Sequence, residues 1–326
     1  MKVRVGVDAS IDDGFLEDFT KEVQLVRIPE EPQGEIEVDF WVAAMPPRIL
    51  RCQWPYLKGV QVVQAPWAGV DTLLNIFPPE VTLCDARGVH EIPTSEWAVA
   101  AILAMQKFLP FFIDLQRQGK WATGQQAHQI DGPAPSAKLP PPAIKNPPAP
   151  IRDVANSTVL IVGYGSIGQA VESRLMPFGA KFLRVARSAR ESVSSVSMLD
   201  ALLGQADIVV LTIPLTSETR QLMDEKRLAG MKPGALLVNA SRGAIVDTDA
   251  LLRALTERRI RAALDVTDPE PLPPHHPLWW APNLLITPHV AGDSAGFMKR
   301  ALKLASEQAE RFTRGEALLN VVKGEY

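Results

Sequence analysis

Three side chains in the second half of the chain could carry proton transfer and anion binding: Arg242, Glu270 and His289. A histidine can donate or accept a proton near neutral pH, and a neighbouring glutamate favours its protonated form. An arginine can bind a carboxylate through two parallel hydrogen bonds. Each of the three follows an apolar run typical of a buried strand. Because ligands of open parallel sheets bind beyond the carboxyl ends of the strands, we expect the three to face one crevice.

A glycine-rich segment offers a place for a dinucleotide. The residues that fit G-x-G-x-x-G are Gly163, Tyr164, Gly165, Ser166, Ile167 and Gly168. They follow a predicted strand at 158–162 and open a predicted helix at 167–178, which is the context that the motif requires. The first glycine permits a tight turn, the second lets the backbone approach a pyrophosphate, and the third lets helix and strand pack closely. The segment therefore predicts dinucleotide binding.

The end of the next predicted strand indicates which dinucleotide binds. Domains that bind NAD carry an acidic residue about 20 positions after the glycine motif. Here Arg187 stands at that position, followed by Ser188 and Arg190, and no acidic residue occurs before Glu191. Arginine side chains at this place can hold a 2′-phosphate, although solvated surface arginines are the alternative. We predict NADP(H) as the preferred cofactor, with NAD(H) as the second choice.

Composition narrows the class of protein. The chain has 326 residues, a formal net charge of −3 and 22% charged residues. That length favours about two domains, and the charge balance argues against nucleic acid or an anionic membrane as partner. Two cysteines provide neither a disulfide framework nor a metal cluster. The longest apolar run, 97–105, is far shorter than the roughly 20 residues that span a bilayer. We expect a soluble cytoplasmic protein.

Strands and helices alternate along the chain, which predicts parallel sheets with helices on their faces. The predicted strands are 3–7, 25–28, 40–43, 60–63, 158–162, 181–186, 208–213, 235–239, 262–266 and 284–287. Further helices are predicted at 15–21, at 94–108 with a cap at Thr94 or Ser95, beyond a break at Pro110, and at 296–313. Eight of the 28 prolines fall in 132–150, which predicts an extended connector.

The run from 263 to 291 is the most specific pattern in the chain. It contains Ala-Leu-Asp-Val at 263–266, Pro-Glu-Pro-Leu at 269–272 and Thr-Pro-His-Val-Ala at 287–291. Together with the glycine motif, Ile213 to Thr219, Asn239 to Gly243 and Ala68 to Asp71, it strongly resembles the D-isomer-specific 2-hydroxyacid dehydrogenase family. The resemblance covers about residues 55 to 315.

The resemblance implies an α/β fold of two doubly wound parallel-sheet domains with a cleft between them. A Rossmann cofactor domain would span 118–290, including the connector at 132–150. A discontinuous, flavodoxin-like substrate domain would combine 1–117 with 291–326. The family also implies a homodimer, in which the apolar helix at 94–108 would be either a dimer contact or an interdomain core element.

The resemblance also implies roles for individual residues. His289 would act as general acid or base, Glu270 would pair with it, and Arg242 would bind the substrate. The backbone of Trp67, Ala68 and Gly69 would bind the substrate carboxylate. Asp265 would hold the nicotinamide carboxamide. Further cofactor contacts would come from Ile213, Pro214, Thr219, Ala240, Ser241 and His289.

The pattern at 186–190 is similar to that of NADPH-using glyoxylate and hydroxypyruvate reductases. It predicts reduction of a small 2-keto acid to the D-2-hydroxy acid. Two alternatives remain: an enzyme like phosphoglycerate dehydrogenase, and a non-catalytic protein that senses a dinucleotide on the same scaffold, because a fold does not fix a function.

Overall fold

The computed structural model describes residues 2–121 and 151–324 of the chain. The chain divides into two compact units, the first formed by Met1–Glu91 with Gly292–Tyr326 and the second by Ile92–Ala291. The proline-rich connector predicted at 132–150 lies outside the described residues.

The strands in chain order are β1 (Val3–Asp8), β2 (Val23–Ile28), β3 (Ile36–Glu37), β4 (Phe40–Val42), β5 (Leu57–Lys58), β6 (Val62–Gln64), β7 (Thr82–Cys84), β8 (Thr158–Val162), β9 (Lys181–Ala186), β10 (Ser194–Ser195), β11 (Ile208–Leu211), β12 (Leu236–Asn239), β13 (Arg261–Leu264) and β14 (Leu284–Ile286). The α-helices are α1 (Pro47–Gln53), α2 (Glu91–Gln106), α3 (Leu109–Arg117), α4 (Ser166–Leu175), α5 (Leu199–Leu203), α6 (Glu225–Gly230), α7 (Thr248–Thr256) and α8 (Phe297–Thr313). Each strand predicted from the sequence overlaps one of these strands.

The first unit contains a five-stranded parallel sheet in the order β2-β1-β4-β6-β7. Counted along the chain, these five strands have the order 2-1-3-4-5, which is the flavodoxin-like order. One apolar face of α8 packs on this sheet through Leu302, Ala305 and Ala309. The short strands β3 and β5 pair with each other in a separate two-stranded sheet.

The second unit contains a seven-stranded parallel sheet in the order β10-β9-β8-β11-β12-β13-β14. Counted along the chain, this is the Rossmann order 3-2-1-4-5-6 with one further strand at the edge. The order reverses between β8 and β11, so the carboxyl ends of these two strands flank the crevice where such sheets bind ligands. The predicted fold class of both sheets is confirmed.

Helix α2 from Ile92 onward and helix α3 belong to the second unit, whereas the sequence placed the boundary at 117. Ala98, Ile102 and Met105 of α2 lie in one core cluster with strands of the seven-stranded sheet. Arg261 of β13 is 1% exposed and donates to the carbonyl of Met105, at the carboxyl end of α2, and to the Gln106 side chain, at 2.9 and 2.7 Å. Burial lowers the pKa of Arg261 to about 9, which leaves it charged at neutral pH. These contacts fix α2 to the seven-stranded sheet.

Two predicted helix details are wrong. The segment 15–21 contains only the end of a 3-10 helix, Asp13–Phe15, whose first turn is capped by the Asp12 carboxylate. Leu16 reaches the core without a longer helix. Helix α2 begins at Glu91, so Thr94 and Ser95 are buried inside it and do not cap it.

The break after α2 is confirmed in the structure. Phe108 adopts a left-handed φ of 53°, and Pro110 stands in the first turn of α3. Within the described residues, no single helix is long and apolar enough to cross a membrane. The pair α2 and α3 reaches that length and composition only when joined across a 66° bend, and its buried side chains contribute to the core just described.

Candidate active site

Glu270 and His289 form the central contact of the candidate site. The Nδ1 atom of His289 lies 2.6 Å from Oε1 of Glu270, and the two side chains are 44% and 41% exposed. His289 follows β14 and Glu270 follows β13, which are neighbours in the sheet. With Nδ1 held by a carboxylate, Nε2 is the ring nitrogen left for a ligand. The structure therefore brings together two of the three residues that the sequence singled out.

The carboxylate of Asp265 fixes the backbone around His289. It is buried, and it accepts hydrogen bonds from the Thr287 hydroxyl at 2.6 Å, the Val290 amide at 3.0 Å and the Ala291 amide at 2.8 Å. The amide of His289 donates to the Asp265 carbonyl at 2.7 Å. His289 itself has a left-handed φ of 55°. Asp265 is thus committed to positioning this segment, and its contact with a nicotinamide carboxamide stays a prediction.

A hydrogen bond from α2 extends this network. The indole nitrogen of Trp97 donates to the Thr287 hydroxyl at 2.9 Å, and that hydroxyl donates to Asp265. Threonine can accept and donate at once, so it links the helix to the buried carboxylate.

Arg242 lies at the end of β12, the third neighbouring strand. The Asn239 side chain holds its turn by donating to the Arg242 carbonyl at 2.9 Å and accepting from the Ser241 hydroxyl at 2.7 Å. A Cβ atom at Gly243 would lie 2.0 Å from the backbone of Thr267. Glycine is required here because the Arg242 turn packs directly against the backbone that leads to Glu270.

The glycine turn between β8 and α4 fits a dinucleotide phosphate group. Gly163 has a φ of 100°, and a Cβ there would lie 2.6 Å from the Thr212 carbonyl, so the turn packs against the segment after β11. A Cβ at Gly165 would meet nothing within 4 Å, which leaves open space above the turn. Among the described residues, no side chain caps the N-terminus of α4. Its amides and its positive dipole end can therefore face an anion.

The residues predicted to choose the cofactor lie just beyond β9. Arg187, Ser188 and Arg190 are exposed. Arg190 donates to the backbone carbonyl of Tyr164, so the turn after β9 lies beside the glycine turn. The structure thus places a basic, accessible segment next to the glycine turn.

The remaining predicted cofactor residues lie on neighbouring strand ends. Ile213 packs beside Gly163, and Thr219 closes its own loop by donating to the Pro214 carbonyl at 2.7 Å. Ala240 and Ser241 belong to the turn after β12.

Trp67, Ala68 and Gly69 follow β6 in the first unit, where Trp67 contacts the core cluster and its carbonyl accepts from the Ala86 amide at 3.0 Å. Their role in substrate binding stays a prediction.

Among the described residues, no group of three or more His, Cys, Asp or Glu side chains could hold a metal ion.

Sequence reasoning assigned no role to Trp97, Thr287 or Asn239, all of which position the site. These roles are hard to predict from the sequence, because each of the three side chains contacts the backbone or another side chain. The position of Asn239 and Thr287 directly after apolar runs, shortly before Arg242 and His289, is the feature that could have identified them.

The Asp265 network predicts a stability effect. Replacing Asp265 by Asn substitutes an amide donor for one acceptor oxygen, so a backbone or hydroxyl donor is left unsatisfied. We expect Asp265→Asn to lower the free energy of unfolding by about 2 kcal/mol and to accelerate amide exchange at Val290 and Ala291. Chemical denaturation and hydrogen exchange measure both.

The matched control is Asp268→Asn, since Asp268 is exposed three residues further along the chain. It should change stability by less than about 0.5 kcal/mol. Equal stability losses in both variants would contradict the proposed importance of the Asp265 carboxylate.

Comparison with known proteins agrees with this arrangement. Residues 99–291 match the family model for the NAD binding domain of the D-isomer specific 2-hydroxyacid dehydrogenases. A glyoxylate reductase of Thermofilum pendens is 35% identical over 243 residues, which cover 72% of this chain and 66% of that protein.

Two solved structures have similar folds. A D-isomer specific 2-hydroxyacid dehydrogenase from Xanthobacter autotrophicus Py2, in complex with NADPH and MES, is 26% identical with a TM-score of 0.78, and 99% and 98% of the two chains are covered. An NADPH-dependent glyoxylate/hydroxypyruvate reductase from Sinorhizobium meliloti, in complex with NADP and sulfate, has a TM-score of 0.79 at 24% identity with full coverage of both chains, and this likeness shows the fold alone. The family resemblance in the sequence is confirmed: the chain belongs to the D-isomer specific 2-hydroxyacid dehydrogenase family of oxidoreductases, which bind a nicotinamide dinucleotide.

Proposed function

We propose that the protein reduces a small 2-keto acid, of the glyoxylate or hydroxypyruvate kind, to the D-2-hydroxy acid with NADPH as the hydride donor. The observation that carries the proposal is the 2.6 Å contact between His289 and Glu270 at neighbouring strand ends of the dinucleotide-binding unit. The glyoxylate reductases among the relatives support the class of substrate.

His289 is the proposed general acid. Its Nδ1–H donates to Glu270, which fixes the tautomer and the orientation of the ring. Nε2 then donates a proton to the carbonyl oxygen of the substrate while that oxygen gains negative charge. In the direction of oxidation, the neutral ring accepts the hydroxyl proton at the same atom.

Arg242 is the proposed substrate anchor. Its guanidinium group binds the carboxylate of the 2-keto acid or the carbonyl oxygen beside it, where it stabilises negative charge. The Asn239 side chain hydrogen-bonds to Arg242 and Ser241. These bonds fix the turn from which the guanidinium group extends.

Arg187, Ser188 and Arg190 are proposed to select NADPH over NADH. An acidic side chain at the end of β9 would repel a 2′-phosphate, whereas these residues offer donors and positive charge. Their exposure beside the glycine turn supports this assignment.

A panel of 2-keto acids tests the reaction. Glyoxylate, hydroxypyruvate, pyruvate, phenylpyruvate and phosphohydroxypyruvate are each combined with NADPH and with NADH, and oxidation of the cofactor is followed at steady state. We expect the highest kcat/KM for glyoxylate or hydroxypyruvate with NADPH. The highest value for phosphohydroxypyruvate would favour a phosphoglycerate dehydrogenase instead. Tight NADPH binding without turnover of any acid would favour a dinucleotide sensor.

The role of His289 has its own test. His289→Ala removes the proton donor, so turnover should fall by a factor of about 100 or more while the Kd for NADPH stays within about twofold. His275→Ala is the matched control, because His275 is exposed in the loop between Glu270 and β14. Turnover by His289→Ala at the rate of the control would remove His289 from the mechanism.

Cofactor choice is tested at Arg187. Arg187→Asp replaces a donor to the 2′-phosphate by a repelling charge, so NADPH binding should weaken by about 2 kcal/mol, or about 30-fold, with little change for NADH. Lys181→Asp makes the same type of charge reversal at the opposite end of β9 and serves as the control. An unchanged preference for NADPH in Arg187→Asp would contradict the assignment.

A further inference from the structure

Two arginine side chains lie over the ring of Tyr164, which belongs to the glycine turn. The guanidinium carbon of Arg184 lies 5.5 Å from the ring centroid, and that of Arg190 lies 5.9 Å from it. Both distances are within the range of favourable cation–π contacts. Because Tyr164 is the second residue of the glycine motif, this group of side chains adjoins the phosphate site.

An ion pair with Glu172 fixes the side chain of Arg184. Its Nε and Nη2 atoms donate to the two carboxylate oxygens of Glu172 on α4, at 2.6 and 2.5 Å. Burial alone would raise the pKa of Glu172, but hydrogen bonds from Arg184 and Tyr164 lower it, so the carboxylate stays charged. A bidentate pair of this kind fixes the orientation of the Arg184 guanidinium group, which lies over the Tyr164 ring.

Arg190 is the accessible member of the group. Its backbone pairs with Val193 through hydrogen bonds of 3.0 and 2.9 Å, and its side chain donates to the Tyr164 carbonyl. An exposed arginine ordinarily samples many rotamers, and ordering it on binding costs free energy. Here the backbone pairing, the carbonyl and the ring all restrict it before a ligand arrives.

We propose that Glu172, Arg184 and Tyr164 form a platform that positions Arg190 to bind the 2′-phosphate of NADPH. The Arg190 guanidinium group has five N–H donors, so its contacts with the Tyr164 carbonyl and ring leave other donors for the phosphate oxygens. Tyr164 and Arg184 are therefore positioning residues for cofactor selectivity, and Arg190 makes the contact. This inference rests on the proposed preference for NADPH.

The test compares the Kd values of NADPH and NADH, measured by calorimetry on the full-length protein. Tyr164→Leu removes the ring, so NADPH should bind about three- to tenfold more weakly while NADH changes less than about twofold. Tyr164→Phe keeps the ring and should retain most of the selectivity. In the double variant Tyr164→Leu/Arg190→Ala, NADPH should bind no more weakly than in Arg190→Ala, because Tyr164 acts through Arg190.

Other outcomes overturn the inference. Equal weakening of both cofactors by Tyr164→Leu, or additive losses in the double variant, would show a general defect of the glycine turn. Equal affinity of the wild-type protein for both cofactors would instead overturn the proposed NADPH preference, and the platform with it. If Tyr164→Leu does not fold, Arg184→Lys keeps the charge but loses the bidentate pair. It should weaken NADPH binding about twofold to threefold without affecting NADH, and unchanged NADPH binding would contradict the platform.

Discussion

The buried carboxylate of Asp265 determines the geometry at the carboxyl edge of the second sheet. A buried carboxylate is unfavourable unless its oxygens accept hydrogen bonds. The chain after β14 supplies these donors from Thr287, Val290 and Ala291, and to do so it passes through a left-handed conformation at His289. The same turn places the His289 ring against Glu270. The contact between His289 and Glu270 is therefore a consequence of how the buried Asp265 carboxylate is hydrogen-bonded.

Close backbone packing imposes a second constraint on the site. Gly163 lets the turn after β8 lie against Thr212, and Gly243 lets the Arg242 turn lie against Thr267. At both glycines, a Cβ atom would clash with the neighbouring backbone. Parallel strands bring their carboxyl ends to one edge, and these glycines allow the loops at that edge to pack without side chains between them. The glycine turn after β8 and the turn that carries Arg242 thus depend on the same type of contact.

The sequence predicted those parts of the fold that local patterns specify. Apolar runs of strand length predicted the strands of both sheets, and the spacing of glycines predicted the turn after β8. Predictions failed where the apolar residues of a segment are compatible with more than one structure. The apolar surface of α2 could pack in either unit. It packs in the second unit, where Arg261 donates to the carbonyl of Met105, a residue far away in the chain. Segment 15–21 reached the core through turns, since a few apolar side chains do not require a helix.

The sequence by itself determined the family and the two sheet types, and it predicted Arg242, Glu270 and His289 beyond the ends of neighbouring strands, because these features depend on residue types at fixed local spacing. Only the tertiary structure showed that Asp265 holds the His289 segment and that Trp97 reaches it through Thr287. It also showed that Glu172 and Arg184 support Tyr164 beside Arg190. Such roles depend on hydrogen bonds and ring contacts between residues far apart in the chain. No local pattern encodes these contacts, so they become visible only when folding brings the elements together.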